Sequence, residues 1–457
     1  MEQFDAIVVG AGQAGPPLAG RLTSSGMKVA LIERRHVGGT CVNTGCKPTK
    51  TMVASAYAAH LARRGADFGV VTGSIAIDMA KVASRARKVI LDSRHSNEQW
   101  LDHMQGLTLV RGHAQFEGPK VIRVADRLLQ AERIFLNVGG RPRIPDIGGV
   151  QDVPFLTNAD MIAMEGVPEH LIVVGGSYIG LEFAQMFRRF GAQVSIVEMG
   201  PHLIGREDPD VSEEVRSILQ AEGIEVRTSA NCIDLSTENG VISVGVDCAK
   251  GPPRLHGSHV LLATGRRPNT DDLGLTKAGV AVDAHGYIVV DDYLATSAPG
   301  VWALGDCNGR GAFTHTAWND YEILAANLLD GENRRLSERI LGYALYIDPP
   351  LGRVGMTEAQ ARATARPLLV SKRPMSRVGR AVEKDETQGF MSMIVDAETK
   401  LILGATILGT AGDEAIHGIL DLMNAKQPIS TLRWAVPIHP TISELLPTLA
   451  GGLVPLQ

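Results

Sequence analysis

The chain opens on a short apolar run, Ala6-Ile7-Val8-Val9, with no polar position inside it. A strand covered on both faces reads this way, as in a parallel sheet buried between layers. Gly10-Ala11-Gly12-Gln13-Ala14-Gly15 follows, then Leu18 and Leu22 at helical spacing up to Gly26. A second apolar run, Val29-Ala30-Leu31-Ile32, ends on Glu33. The pattern predicts strand, glycine turn, helix, strand and acid. Pro16 and Pro17 fall in the first helical turn, where their missing N–H groups would have had no intrahelical partner. A further helix is predicted over about residues 49–61, with Pro48 near its start. A longer one is predicted over residues 77–104, where Met79, Val82, Ala86, Val89 and Ile90 keep near-helical spacing. Residues 107–110 and 121–124 are strand-like, and residues 134–138 form a buried run closing on Gly139-Gly140-Arg141-Pro142. Pro145 and Pro154 mark a boundary.

The opening pattern then returns. His170-Leu171-Ile172-Val173-Val174-Gly175-Gly176-Ser177-Tyr178-Ile179-Gly180 lies over residues 5–15, with Gly10 falling on Gly175 and Gly15 on Gly180. At the same offset Glu33 falls on Glu198, the end of Val194-Ser195-Ile196-Val197. Coincidence of glycines and acid at one offset predicts a second dinucleotide-binding unit. In such a unit the glycines let backbone N–H groups approach a pyrophosphate at a helix N-terminus, and the acid accepts from a ribose hydroxyl. Gly10, Gly12, Gly15 and Glu33 are the candidates for one nucleotide, and Gly175, Gly180 and Glu198 for the other. Ser177 replaces the second glycine, so its hydroxymethyl must fit close to the phosphates. Glu198 would repel a 2′-phosphate and no Arg follows it directly, which favours NADH over NADPH; Arg206, a few residues on, moderates that preference.

Val260-Leu261-Leu262-Ala263-Thr264-Gly265-Arg266-Arg267-Pro268 repeats the form of residues 134–142, so Gly139 and Gly265 mark equivalent exits from the two units. Val301-Trp302-Ala303-Leu304-Gly305-Asp306 ends a strand on an acid that can bind a polyol chain or simply cap a turn. From about residue 341 the character changes. Strand candidates such as residues 390–395, an amphipathic helix over 413–424 and few glycine cradles predict a third, α+β domain.

Composition narrows the class. At 457 residues, two or three domains are expected, with 44% hydrophobic and 21% charged residues ordinary for a soluble protein. A net charge of −5 gives no support to nucleic-acid or membrane-surface binding. No apolar run reaches membrane-spanning length. The acidic start, Met1-Glu2-Gln3-Phe4-Asp5, reads as no signal peptide. Five cysteines, an odd number, make no disulfide scaffold and suit a reducing cytoplasm, where a pair is more often catalytic than structural.

That pair is Cys41 and Cys46, in Gly38-Gly39-Thr40-Cys41-Val42-Asn43-Thr44-Gly45-Cys46-Lys47-Pro48-Thr49-Lys50. Oxidised, they would close a small loop; reduced, they would exchange with another disulfide. The spacing is wrong for a zinc knuckle, and no other cluster completes a metal site. Near the end, His439 is followed five residues later by Glu444, a possible base and its orienter. Cys232 and Cys248 have no thiol or His partner at motif spacing and read as buried or surface thiols, and Cys307, beside Asp306, has no resolving cysteine nearby.

Two nucleotide units, C-x4-C on the first, and a terminal His-Pro-Thr…Glu together resemble the flavoprotein disulfide reductases, which include dihydrolipoamide dehydrogenase, glutathione reductase and mercuric reductase. The resemblance implies an α/β fold with two Rossmann-like domains: an FAD domain (residues 1–148 and 268–338) interrupted by an NAD(P)H domain (149–267). A C-terminal α+β dimerisation domain (339–457) would follow. It implies FAD held by the first glycines and Glu33, with Lys50 near the flavin, Asp306 on the ribityl chain, Tyr178 gating the nicotinamide pocket, and Glu182 pairing with Lys50. It further implies Cys46 as the flavin-side thiol and Cys41 as the interchange thiol. His439 from a partner subunit, oriented by Glu444, would be the acid–base, so a homodimer with shared sites is expected. By the same motif the bond before Pro440 is expected to be cis. The ending Leu449–Gln457 carries no cysteine pair of the kind mercuric and thioredoxin reductases use, and Lys47 stands where the family usually has an apolar residue. Electrons from the nicotinamide would pass through the cysteine pair to a small-molecule disulfide or a metal ion. The alternative is a diaphorase or transhydrogenase acting on quinones or nicotinamides, in which the cysteines are incidental.

Overall fold

The structure, a computed structural model, describes residues 1–231, 233–246 and 253–456; Cys232 and Cys248 lie outside the described residues. The first apolar runs form the parallel strands Ala6–Val9 and Val29–Glu33, buried along their whole length. They sit inside a five-stranded parallel sheet in the order Val301–Ala303, Arg133–Leu136, Ala6–Val9, Val29–Glu33, Leu107–Arg111. The helix Gly15–Ser24 crosses between the first two, with its prolines in the first turn and Leu18 and Leu22 fully buried. The strand order therefore reverses beside Gly10, the place where open α/β sheets bind ligands.

The second unit repeats the construction. Its parallel sheet runs Phe155–Leu156, His259–Leu262, His170–Val174, Gln193–Val197, Glu225–Arg227, with the helix Tyr178–Phe190 between the third and fourth strands. The two exits pair with one another: Gly140–Pro142 lies antiparallel to Arg266–Pro268. A six-stranded antiparallel sheet closes the chain, in the order Gly342–Leu345, Leu351–Gly355, Ile402–Leu408, Phe390–Asp396, Leu368–Pro374, Val454–Pro455. The helix expected over 413–424 is two helices, Gly412–Ala415 and His417–Asn424, meeting at Ile416.

One boundary differs in a way that matters. The helix expected from residue 49 runs over Cys46–Arg63, with Gly45 as the residue before it. Its first helical bond joins Thr49 N–H to Gly45 C=O at 3.1 Å, so Pro48 lies inside the first turn and loses nothing there. Cys46 is consequently the first residue of an 18-residue helix. The helix Met79–Asp102 packs along it and is capped by Asp78, whose carboxylate accepts from the Lys81 N–H at 2.9 Å. Among the described residues no helix is long and apolar enough to cross a membrane.

Candidate active site

Both glycine turns are closed by backbone so tightly that no side chain fits. A Cβ on Gly10 (φ +105°) would stand 2.2 Å from the Asn137 carbonyl, and one on Gly15 2.1 Å from the Gly10 carbonyl. In the second unit the corresponding approaches are 2.4 Å from Gly175 to Ala263 and 2.1 Å from Gly180 to Gly175. The acids are seated alike. Glu33 accepts from the N–H of Ala11 (2.9 Å) and Arg35 (2.7 Å); Glu198 accepts from Gly176 and Gly200, both at 2.7 Å. Each carboxylate thus holds its own glycine turn and keeps lone pairs for a ribose. Ser177 precedes its helix in an extended conformation (φ −111°, ψ −178°).

Among the described residues, the first unit has one tie that the second lacks. Asn137 Oδ1 accepts from Gly15 N–H at 3.0 Å, and its Nδ2 donates to Leu304 C=O at 3.1 Å. This side chain joins the glycine turn to the turn Gly305–Asn308 that carries Asp306. Asn137 was not singled out in the sequence, where it looks like one more residue of a buried strand. Burial raises the Asp306 carboxyl, opposed by Arg266, whose Nε lies 4.0 Å away. A cleft bordered by Gly10, Glu33, Gly112, His113 and Asn269 opens at the acid's end of the sheet. Close glycine approach, a seated ribose acceptor, a cleft beside it and a second acid on the same sheet fit an FAD. Gly10→Val is expected to leave the protein without flavin, since overpacking of about 1–3 kcal/mol falls on the cradle itself. The ratio of flavin to protein absorbance after purification checks this; full flavin content would contradict it. Gly139 (φ +64°) and Gly265 (φ +102°) sit at the exits, where Gly139 C=O accepts from Asn269 N–H and Gly265 C=O from Arg143 N–H, both at 3.0 Å.

The thiols stand between the units. Cys41 is half-buried in the short helix Gly39–Asn43, and both it and Cys46 are free thiols. The Cys41 thiol donates to Cys46, which brings Cys46 down to about 6; Thr314, whose Oγ1 lies 3.5 Å from its sulfur, and the Lys50 charge act in the same direction. The helix N-terminus also favours a thiolate there. The shared bond and burial push Cys41 the other way, well above the usual thiol range. Lys50, one helical turn beyond Cys46, bonds both oxygens of Glu182 at 2.8 and 2.7 Å. Glu182 lies on the helix Tyr178–Phe190 and also accepts from Tyr346 N–H at 3.1 Å, while the Lys50 ammonium lies 4.6 Å from the Tyr346 ring centre. One buried carboxylate therefore joins all three sheets' surroundings. Lys47 points to Ser93 Oγ, at 2.9 Å, on the helix Met79–Asp102.

Tyr178 is held by a residue the sequence reading missed. Its hydroxyl donates to Glu207 at 2.9 Å, and the Tyr343 hydroxyl donates to the same oxygen at 2.6 Å. Arg353, from the terminal sheet, lies 3.4 Å from Glu207 and 3.1 Å from Asp208. Thr314, Tyr343 and Arg353 come from segments 130 or more residues away from the groups they meet, with no local pattern to announce them.

His439 Nδ1 lies 2.7 Å from Glu444 Oε2, and the His439–Pro440 bond is cis. The His439 side chain is 80% exposed, and exposed Trp434, Val436 and Ile438 precede it. Among the described residues no hydrogen bond or ion pair joins it to either thiol of its own chain. Cys307 is fully buried, donates to the carbonyls of Leu136 and Leu304, and is pushed up to about 12 by that burial. No group of three or more His, Cys, Asp or Glu among the described residues is placed to hold a metal ion.

Comparison with known proteins places this geometry. The pyridine nucleotide-disulphide oxidoreductase family profile matches residues 4–320, and the profile of its dimerisation domain matches residues 342–450. The chain is 34% identical over 455 residues to the probable pyridine nucleotide-disulfide oxidoreductase RclA of Escherichia coli (strain K12), covering 98% of each. It is 32% identical to the dihydrolipoyl dehydrogenase of Thermus scotoductus over 99% of this chain and 98% of that one. It is also 29% identical to the mercuric reductase of Lysinibacillus sphaericus, over 99% of this chain and 80% of that one. A solved structure described as the Cu(II) complex of HOCl-induced flavoprotein disulfide reductase RclA from Escherichia coli superimposes with a TM-score of 0.89, at 33% identity and 99% coverage of both chains. The fold, the paired nucleotide units and the terminal dimerisation domain accordingly belong together, and the family implies FAD with a pyridine nucleotide. The chain is a member of the class I pyridine nucleotide-disulfide oxidoreductases.

Proposed function

We propose that this chain is an FAD-dependent NADH oxidoreductase that charges the Cys41–Cys46 pair with two electrons and delivers them to a small disulfide or a metal ion. The observation that carries this reading is the placement of the pair: Cys46 begins the helix Cys46–Arg63, beside Thr314 Oγ1 and one turn before Lys50, which Glu182 holds, and Cys41 lies on the short helix Gly39–Asn43 just before it. Gly10, Gly12, Gly15, Glu33 and Asp306 would hold FAD, with Lys50, fixed by Glu182, beside its flavin; Tyr178, Gly175, Gly180, Glu198 and Gly265 would bound the nicotinamide site. FAD supplies the two-electron step between a nicotinamide and a thiol pair that no side chain performs.

The remaining steps belong to the protein. In the reduced pair Cys46 is the thiolate and Cys41 the thiol. The partner subunit's His439, kept in one orientation by the partner's Glu444, takes the Cys41 proton. The Cys41 thiolate then attacks an acceptor disulfide, forming a mixed disulfide and expelling one thiolate, which His439 protonates. The Cys46 thiolate next attacks the Cys41 sulfur, restoring the Cys41–Cys46 disulfide and expelling the second sulfur as a thiolate, which takes its proton from water. With a metal ion, the same two electrons reduce Hg(II) to Hg(0) or two Cu(II) to two Cu(I). The mercuric reductases and the Cu(II)-bound RclA among the relatives support including metal ions. Steady-state turnover with lipoamide, glutathione disulfide, Hg(II), Cu(II) and quinones separates these acceptors. Turnover of quinones alone, undiminished in Cys46→Ser, would favour a diaphorase and reject the proposal.

NADH is the proposed donor. Glu198 Oε2 accepts from Gly176 N–H in the glycine turn and Oε1 from Gly200 N–H just after the strand, so a 2′-phosphate there would meet a carboxylate's negative charge. The expected kcat/KM favours NADH over NADPH by at least about tenfold, one displaced hydrogen bond being worth about that factor. Equal values for the two donors would refute this. The odd cysteine count and dithiol chemistry support a cytoplasmic protein.

A further inference from the structure

Tyr178 opens the helix that leaves the second glycine cradle, and Glu182, one turn on along the same face, holds Lys50. With the nicotinamide donor proposed for this chain, a dinucleotide seated on Gly175 and Gly180 runs past the Tyr178 ring to reach the flavin beside Lys50. That ring is tied down. Its hydroxyl donates to Glu207 Oε1 at 2.9 Å, and the Tyr343 hydroxyl donates to the same oxygen at 2.6 Å. The two rings meet edge to face, with 5.8 Å between centres at 89°, and Tyr343 is backed by Phe313, stacked on it at 5.6 Å. Burial and the Glu207 charge raise both phenols, so both stay donors.

The acceptor is fixed from two sides. Within the second unit, Glu207 N–H donates to Ile204 C=O at 2.8 Å, and Ile204 N–H donates to the Gly176 C=O of the cradle at 2.7 Å. Ile204 takes φ +41°, left-handed backbone that a β-branched residue adopts only where its surroundings impose it. From the terminal sheet, the buried Arg353 lies 3.4 Å from Glu207 and also bonds Asp208 at 3.1 Å and Thr406 at 2.6 Å. The Glu207 side chain has no exposed surface. When the Tyr178 bond breaks, Arg353 and Tyr343 remain as its partners. The buried charge is then never left alone, and the bond to Tyr178 is free to open and reform.

We infer that Glu207 is a latch on Tyr178, holding the ring across the path of the nicotinamide and so setting the affinity for that half of the dinucleotide. It is a positioning residue, since it acts through Tyr178 and has no surface of its own to offer a ligand. The latch rests on the nicotinamide site proposed for this chain. A bond to a charged acceptor must break before the ring swings aside, and apparent affinity falls with the fraction of chains whose ring is aside.

Isothermal titration of the oxidised, flavin-loaded protein with NAD⁺ and, separately, with ADP-ribose tests it. ADP-ribose fills the cradle but carries no nicotinamide. Tyr178→Phe keeps the ring and removes the bond, so it should bind NAD⁺ about tenfold more tightly, the factor that one such bond is worth, with ADP-ribose unchanged. Glu207→Gln, which leaves a neutral acceptor, should shift NAD⁺ the same way by less. A role confined to holding the fold would weaken or spare both ligands alike. NAD⁺ binding unchanged or weakened in either variant, or an equal gain for ADP-ribose, overturns the latch. Should Glu207→Gln fail to retain flavin, Tyr178→Phe decides alone. ADP-ribose and NAD⁺ that bind without responding to the variants reject the latch and leave the donor site standing. Binding of neither ligand to the wild type rejects both.

Discussion

Cys46→Ser is expected to abolish delivery of electrons to disulfides and metal ions, while the bound flavin is still bleached by NADH. The reason is the division of labour within the pair. Cys46 begins a long helix, receives the Cys41 thiol proton in a hydrogen bond and sits one turn from Lys50, so it is the sulfur that carries negative charge. Serine keeps the shape but has no accessible anion and cannot form the disulfide. In the wild type, anaerobic addition of two electrons should produce a long-wavelength band from the Cys46 thiolate against the flavin, and the band should be missing in Cys46→Ser. Its pH dependence has a definite sign. A thiol lowered to about 6 is ionised above that pH and protonated below it, so the band should persist from neutral pH upward and fade as pH drops through about 6. Cys41, raised by the same hydrogen bond, contributes no thiolate over this range. A wild type with no band at two-electron reduction would sink the assignment of Cys46.

His439→Ala should cost acceptor turnover by about 10²–10⁴-fold, the range for loss of a general acid–base, with flavin reduction by NADH preserved. Mixed dimers give the sharper result. His439 is 80% exposed, pairs with Glu444, and is preceded by exposed apolar side chains at Trp434, Val436 and Ile438. If the acid–base crosses to the other subunit, a dimer of one His439→Ala chain and one Cys46→Ser chain contains one complete site. The His439→Ala chain supplies the thiols and the Cys46→Ser chain supplies the histidine. Neither parent is active, yet each mixed dimer should recover about half the wild-type activity, so an equimolar refolded or co-expressed mixture, in which about half the dimers are mixed, should recover about a quarter. Mixtures as inactive as their parents would place the site within one chain.

Much of this architecture was readable from residue order because its determinants are local. Each nucleotide unit is written in consecutive positions: a fully apolar strand, glycines where a Cβ would meet a carbonyl at close to 2 Å, a helix, and an acid that bonds the turn's own N–H groups. Those constraints act within about thirty residues, so the repeat at one offset survived in the sequence and reappears as the matching seats of Glu33 and Glu198. The residue pattern predicts the Cys46–Arg63 helix from about residue 49 with Pro48 near its start, whereas it begins at Cys46. Only the observed first turn, closed by Thr49 to Gly45, shows that proline sits there without penalty.

What the order of residues could determine by itself was therefore the two glycine cradles, their acids, the Cys41–Cys46 pair and the candidate histidine with its glutamate. What only the tertiary structure decided was how those parts are made unequal and held. Asn137 joins the first cradle to the Asp306 turn, Thr314 meets Cys46 from 268 residues away, and Glu182 fixes Lys50 from 132 residues away. Glu207 gathers Tyr178, Tyr343 and Arg353. A hydrogen bond or a shifted thiol depends on which groups lie within about 3 Å and on the water excluded around them. Residues distant in the chain supply both, and no local spacing encodes them.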